Sequence, residues 1–125
     1  MKTRNRFGAL ASAALLLAVT AGGALAAEVN IYSARHYQTD EQLYADFTKA
    51  TGIKINRIED NSDKLISRIE AEGRNSPADI LITVDAGRLW GGEEKELFAP
   101  VSSSELESRI PATLRHPEGQ YFGFS

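Results

Sequence analysis

A histidine and a tyrosine stand side by side in this chain, at His36 and Tyr37, with Arg35 before them. The pair offers one imidazole nitrogen and one phenol oxygen. A phenol ordinarily titrates near ~10, but a highly charged cation bound to it can take the proton off. The phenolate is then an oxygen donor suited to a hard trivalent cation, and the histidine adds a neutral nitrogen donor. Arg35 has a different chemistry: at a helix N-terminus, where free N–H groups also point, it could hold an anion. On pattern alone each reads more simply as surface, a polar turn and a solvated arginine.

The surrounding pattern says what positions these residues. Glu28 to Ser33 alternates, with Val29 and Ile31 on one face, and predicts a strand. A polar turn from Ala34 to Gln38 follows. Thr39 is a good N-cap, Gln42 completes a capping box, and Asp40 and Glu41 suit the positive end of a helix. Leu43, Phe47 and Ala50 then fall at helical spacing, and Gly52 is a stop signal. The His-Tyr pair therefore sits between a strand end and a helix start, where open α/β sheets gather their ligands.

The rest of the chain repeats the alternation. Residues 53–58 predict a second strand, so the first two strands and their helix form a βαβ unit. Asn61-Ser62-Asp63 caps a second helix with Leu65, Ile66 and Ile69 on its apolar face, ended by Gly73. Ala78 to Val84 is a near-continuous apolar run, the mark of a buried parallel strand. A third helical stretch, 88–97, follows Asp85 and is weakened by Gly91-Gly92. Ser102-Ser103-Ser104 caps a short helix around Glu105 to Arg109, and Tyr121 to Ser125 has the pattern of a strand's beginning. The order predicts an α/β fold with a mainly parallel sheet and flanking helices.

Other chemistry-bearing residues have plain structural readings. Asp85 ends an apolar strand, where ligands gather, but it equally suits the N-cap of the next helix. His116 precedes a proline in a polar loop and reads as surface. Tyr32 and Tyr44 suit core or interface packing, and Trp90 packs. No GxGxxG, P-loop, HExxH or GxSxG motif is present, and no serine has the context of an activated nucleophile. An enzyme is not expected.

The first residues are of another kind. Lys2, Arg4 and Arg6 precede an apolar run from Ala9 to Val19, and Ala24-Leu25-Ala26 is an A-x-A cleavage pattern. Residues 1–26 are expected to be a secretory signal peptide, cut after Ala26. A membrane span wants about 20 apolar residues, more than this run offers. Without the segment, 11 basic and 17 acidic residues remain, a net charge of −6. Such a balance disfavours nucleic acid and anionic membrane surfaces as partners and suits a cation. The absence of cysteine excludes disulfides and thiolate metal sites. The remaining 27–125 is small for a doubly wound domain. Either it is a compact, marginal domain or, as the strand-like start at Tyr121 to Ser125 favours, it is the first part of a longer protein, incomplete at the C-terminus.

Several of these stretches, read together, resemble a known family. Val29-Asn-Ile-Tyr-Ser-Ala-Arg-His-Tyr37, Thr39-Asp40, Leu43-Tyr44, Phe47 and Thr51-Gly-Ile-Lys-Ile55 are similar to the opening of periplasmic ferric-iron-binding proteins of ABC transporters. Ser76-Pro-Ala-Asp-Ile-Leu81, Thr83-Val-Asp-Ala-Gly-Arg-Leu89, Ile110-Pro111 and Gly119-Gln-Tyr-Phe-Gly123 resemble later blocks. The resemblance implies the first lobe of a two-lobed periplasmic-binding-protein fold. The lobes would close on Fe(3+) and hand it to an inner-membrane ABC permease, the protein acting as a monomer. His36 and Tyr37 map to ligands of the Arg-His-Tyr branch, with more tyrosines coming from the second lobe. Arg35 is a candidate partner for carbonate or another synergistic anion. Another branch uses a glutamate where this chain has Val84, which leaves its neighbour Asp85 as a group that could steady a ligand. Two other readings stay open: a binding protein for another anion or small solute, and a periplasmic sensor on the same fold.

Overall fold

Hydrophobic and hydrogen-bonding patterns of alternating period resolve, in this computed structural model, into a small parallel sheet with helices on both faces. The structure describes residues 26–124. The expected signal peptide lies outside the described residues apart from Ala26. Strand β1 (Glu28–Ser33) leads to helix α1 (Thr39–Thr51), β2 (Lys54–Glu59), α2 (Ser62–Glu72), β3 (Ile80–Ile82), α3 (Ala86–Glu94) and α4 (Ser104–Arg109). Short 3-10 turns cover Gly73–Asn75 and Ala112–Leu114. Among the described residues no helix is long and apolar enough to cross a membrane.

The sheet order is β2-β1-β3, and both pairings are parallel. Chain direction across the sheet therefore reverses after β2, and right-handed crossovers then place α1 and α2 on opposite faces. The side chains agree. Ile31 lies level with Arg57 of β2, and Arg57 reaches Glu41 of α1 at 2.7 Å. Tyr32 points to the other face, where its hydroxyl donates to Glu72 of α2 at 2.8 Å. Ile31, Tyr32, Leu65 and Ile66 are the buried apolar residues between these layers.

Tyr32 shows how a polar tip is accommodated in that core. Arg68 and Ser76 also donate to Glu72, each at 2.7 Å. Burial, then the neighbouring Glu72 carboxylate, raises the Tyr32 phenol above its ordinary value, so it stays a donor. Arg68 first, then Ser76, holds the Glu72 carboxyl below its ordinary value, so it stays an acceptor. Among the described residues no buried side-chain nitrogen or oxygen lacks a partner.

Most local signals are realised as expected. The Asn61 and Ser103 side chains cap α2 and α4 by accepting from Lys64 N–H and Leu106 N–H. Gly52 ends α1 at φ 71° and Gly73 ends α2 at φ 55°. Several expectations need correction. Thr39 is not the cap of α1. Gln38 holds that place already in helical conformation (φ −62°, ψ −25°), and its side chain makes no capping bond. Capping needs an extended residue whose side chain can fold back. Here the turn closes through its backbone, with Asp40 N–H donating to the Tyr37 carbonyl at 3.0 Å. The expected box partner Gln42 donates instead to Asp46 at 2.8 Å.

The apolar run 78–84 makes only a three-residue strand, and Ile80 and Val84 are exposed. Among the described residues β3 pairs along one edge alone, with β1, so one side of it is not covered. Residues 121–124 form no strand but a single antiparallel bridge, Arg115 to Phe122. Trp90 does not pack inward either; it is 59% exposed. Helix α3 ends at Glu94, short of the expected 97, and the chain turns through a positive φ of 56° at Glu96.

Candidate metal centre

The three strands all run towards one edge of the sheet, and the β1–α1 turn carrying Arg35, His36 and Tyr37 leaves from the central one. Backbone bonds tie the start of this turn to both neighbours. Ala34 N–H donates to the Ile82 carbonyl at 2.8 Å, and Asp60 N–H donates to the Ser33 carbonyl at 3.3 Å. Ser33 itself is fully buried. Its hydroxyl accepts from Arg35 N–H and donates to the Arg35 carbonyl, both at 3.1 Å. A buried hydroxyl thus sets the backbone just before the His-Tyr pair.

Arg35 spans the turn. Its Nε and its terminal nitrogen donate to the two oxygens of Asp40 at 3.0 and 3.1 Å, a bidentate pair. The same guanidinium lies 5.0 Å from the centre of the Tyr37 ring, within the range of a cation–π contact. The hydrogen bond from Arg35 holds the Asp40 carboxyl below its ordinary value, and that same bond raises the Arg35 guanidinium. The arginine is therefore neither a free surface cation nor an unengaged anion site: its fork is occupied by Asp40.

His36 and Tyr37 present their rings outward. The His36 side chain is 54% exposed, and Tyr37 is 56% exposed. His36 Nδ1 stands 3.6 Å from Glu59 Oε2. Glu59 ends β2 level with Ser33 in the register, and its other oxygen, Oε1, meets Arg57 at 3.4 Å. Sequence reasoning missed Glu59 and Ser33. The signal for Glu59 was the parallel pairing itself: two strands ending at the same level bring residues 26 apart in sequence together.

Donor chemistry decides what this edge can hold. A phenol and an imidazole, adjacent and accessible, with a carboxylate behind the imidazole, suit a hard cation with room for nitrogen. Two side-chain donors leave most of an octahedron to other ligands. Among the described residues no group of three or more histidine, aspartate or glutamate side chains could hold a metal. Of the other candidates, Asp85 is engaged as the α3 cap, accepting from Arg88 N–H at 3.0 Å. Arg88 also pairs with Asp63 of α2. Tyr32 is core, and Tyr44 lies under the Arg57 guanidinium at 4.6 Å. His116 is corrected: its side chain is only 12% exposed. Its Nε2 meets Glu93 of α3 at 3.0 Å, its Nδ1 accepts from Glu118 N–H at 3.2 Å, and its ring tilts against Tyr121.

An open parallel sheet with a polar turn at the carboxyl ends of its strands has the arrangement in which open α/β folds bind ligands. Comparison with known proteins makes the class particular. No protein-family model matches the chain. Iron uptake protein A1 of Synechocystis sp. is 56% identical over 98 residues, 78% of this chain and 27% of that protein. The major ferric iron-binding protein of Neisseria gonorrhoeae is 30% identical over 121 residues, 96% of this chain and 32% of that one. Among solved structures, the Trichodesmium IdiA/FutA protein in complex with iron and citrate is 58% identical with a TM-score of 0.76. It covers 78% of this chain, which covers 31% of it. The ferric binding protein of Campylobacter jejuni is 46% identical with a TM-score of 0.74, over 75% of this chain and 30% of that one. By sequence and by fold, the chain resembles one lobe of a ferric-iron-binding protein. It spans roughly a third or less of the length of these relatives.

Proposed function

We propose that this chain supplies one wall of a ferric-iron site in a periplasmic solute-binding protein of an ABC transporter. The adjacent, outward-facing His36 and Tyr37 at the carboxyl edge of the sheet carry this reading. Tyr37 gives up its phenol proton to bind as phenolate, and His36 binds through a ring nitrogen. The remaining donors are tyrosines of a second lobe and, where needed, carbonate or another synergistic anion. Arg35 would serve such an anion through N–H edges left over from its pair with Asp40. Closing the lobes excludes water and strengthens each ion–donor contact, since charge interactions grow as the dielectric falls. The closed form is then what an inner-membrane permease recognises. Export by a cleaved signal peptide, a monomeric state and a transport role without catalysis complete the reading.

The test is spectroscopic. Ferric citrate added to the full-length protein is expected to give a visible tyrosinate-to-iron band. Tyr37→Phe should diminish and shift that band, and His36→Ala should lower iron affinity in a citrate competition. A His36→Ala, Tyr37→Ala double variant that keeps normal iron affinity would overturn the assignment and favour another anion or small solute as cargo.

A further inference from the structure

Glu59 lies outside the Arg-His-Tyr turn, yet it approaches one of that turn's ring nitrogens. Its two oxygens face different partners: Oε2 meets His36 Nδ1 at 3.6 Å and Oε1 meets Arg57 at 3.4 Å. Arg57 is itself fixed. It pairs with Glu41 of α1 at 2.7 Å and lies 4.6 Å over the Tyr44 ring. A continuous line of contacts thus runs from α1 through β2 to the His36 ring. The register of the sheet maintains it, because Ser33 and Glu59 are level at the ends of β1 and β2.

We propose that Glu59 is the positioning residue of His36: its carboxylate, within ion-pair reach of Nδ1 but beyond hydrogen-bond distance, favours the proton on Nδ1 and so leaves the lone pair on Nε2. This rests on the ferric-iron reading above and deepens it. An imidazole has two neutral tautomers, and a carboxylate beside one nitrogen selects the tautomer with its proton there. The other nitrogen is then the one left free to donate to a metal ion. The same partner limits rotation of the ring, which is otherwise half-exposed. A partner behind a metal-bound histidine also makes the ring more basic, and its loss typically lowers metal affinity about 10–100-fold. Arg57 acts one step further back, because it holds the carboxylate in place without touching the ring.

The experiment uses the full-length protein and its Glu59→Ala and Glu59→Gln variants. Nitrogen-15 spectra of the His36 ring, taken without iron at about pH 8, where an ordinary imidazole is neutral, read the tautomer directly. The wild type is expected to favour the Nδ1–H form. Glu59→Ala should shift the ring towards Nε2–H, and Glu59→Gln, which keeps a carbonyl acceptor, should retain part of the preference. Iron affinity by citrate competition should fall about 10–100-fold in Glu59→Ala and less in Glu59→Gln, with circular dichroism unchanged. A tautomer that does not respond to Glu59→Ala overturns the pairing, whether or not the protein binds iron. A wild type with no iron band, but whose tautomer responds, overturns the iron reading and leaves the pairing standing.

Discussion

Arg35 and Asp40 clasp each other across the turn that carries His36 and Tyr37, through two parallel hydrogen bonds of 3.0 and 3.1 Å. His36 and Tyr37 lie in sequence between the two halves of the clasp. A short loop whose ends are bonded together has few conformations left, so much of the ordering that a bound ion would otherwise impose is already in place.

Asp40→Asn is expected to loosen this clasp and to show its loss in acid. Arg35 holds the Asp40 carboxyl below its ordinary value when folded. A depressed carboxyl contributes stability that is present above the unfolded value of about 3.9 and lost as pH falls through the folded value. Thermal unfolding of wild type and variant should therefore differ by a constant amount near neutrality. Below about pH 4 the two curves should converge. A difference that persists undiminished at low pH would mean that the charge pair is not its source.

Ser33→Ala should destabilise the fold by about 1–2 kcal/mol, because Arg35 N–H and its carbonyl both lose the buried hydroxyl they share. Urea unfolding is the measurement: the midpoint should fall at unchanged slope. The same variant should bind iron more weakly than its stability loss alone explains, since the backbone it frees leads directly into His36.

Gly119→Ala is expected to be far more damaging than Gly52→Ala. Both glycines have positive φ, 74° and 71°. A methyl at Gly52 meets no neighbouring atom, so its cost is the backbone strain of about 1 kcal/mol. A methyl at Gly119 would also run into the backbone carbonyl of Val101, which accepts no displacement cheaply, because Val101 N–H donates to the Gly119 carbonyl at 2.9 Å. Paired thermal melts of the two variants decide this. Equal losses would show that the backbone at Val101 gives way to the added methyl without cost.

Local chemistry wrote much of the fold into the sequence. Asn61, Asp85 and Ser103 act as caps because a short polar side chain needs only its own helix's N–H groups. Gly52 ends α1 because a left-handed residue closes the helix from within. The bounds of β1 followed from alternation alone, and with them the place of His36 and Tyr37 at a strand end. Where a residue's state depends on a distant partner, the chain read alone was less informative. Thr39 lost its expected role because the backbone of Tyr37 and Gln38 closed the turn first. His116 left the surface because α3 brings Glu93 to its ring. The apolar run through Ile80 and Val84 stayed partly open because a strand is buried only by neighbours on both sides, and β3 has one.

The sequence by itself determined where His36 and Tyr37 stand, their neighbouring arginine and the strand–turn–helix that presents them, since each depends on residues a few positions apart. Only the tertiary structure decided which partners hold those side chains. Asp40 reaches Arg35 across the turn, and the β1–β2 register places Glu59 beside His36. The physical reason is range. Caps and periodicity are written within a turn or two of the chain, whereas the grip on His36 comes from side chains that meet only once the sheet has assembled.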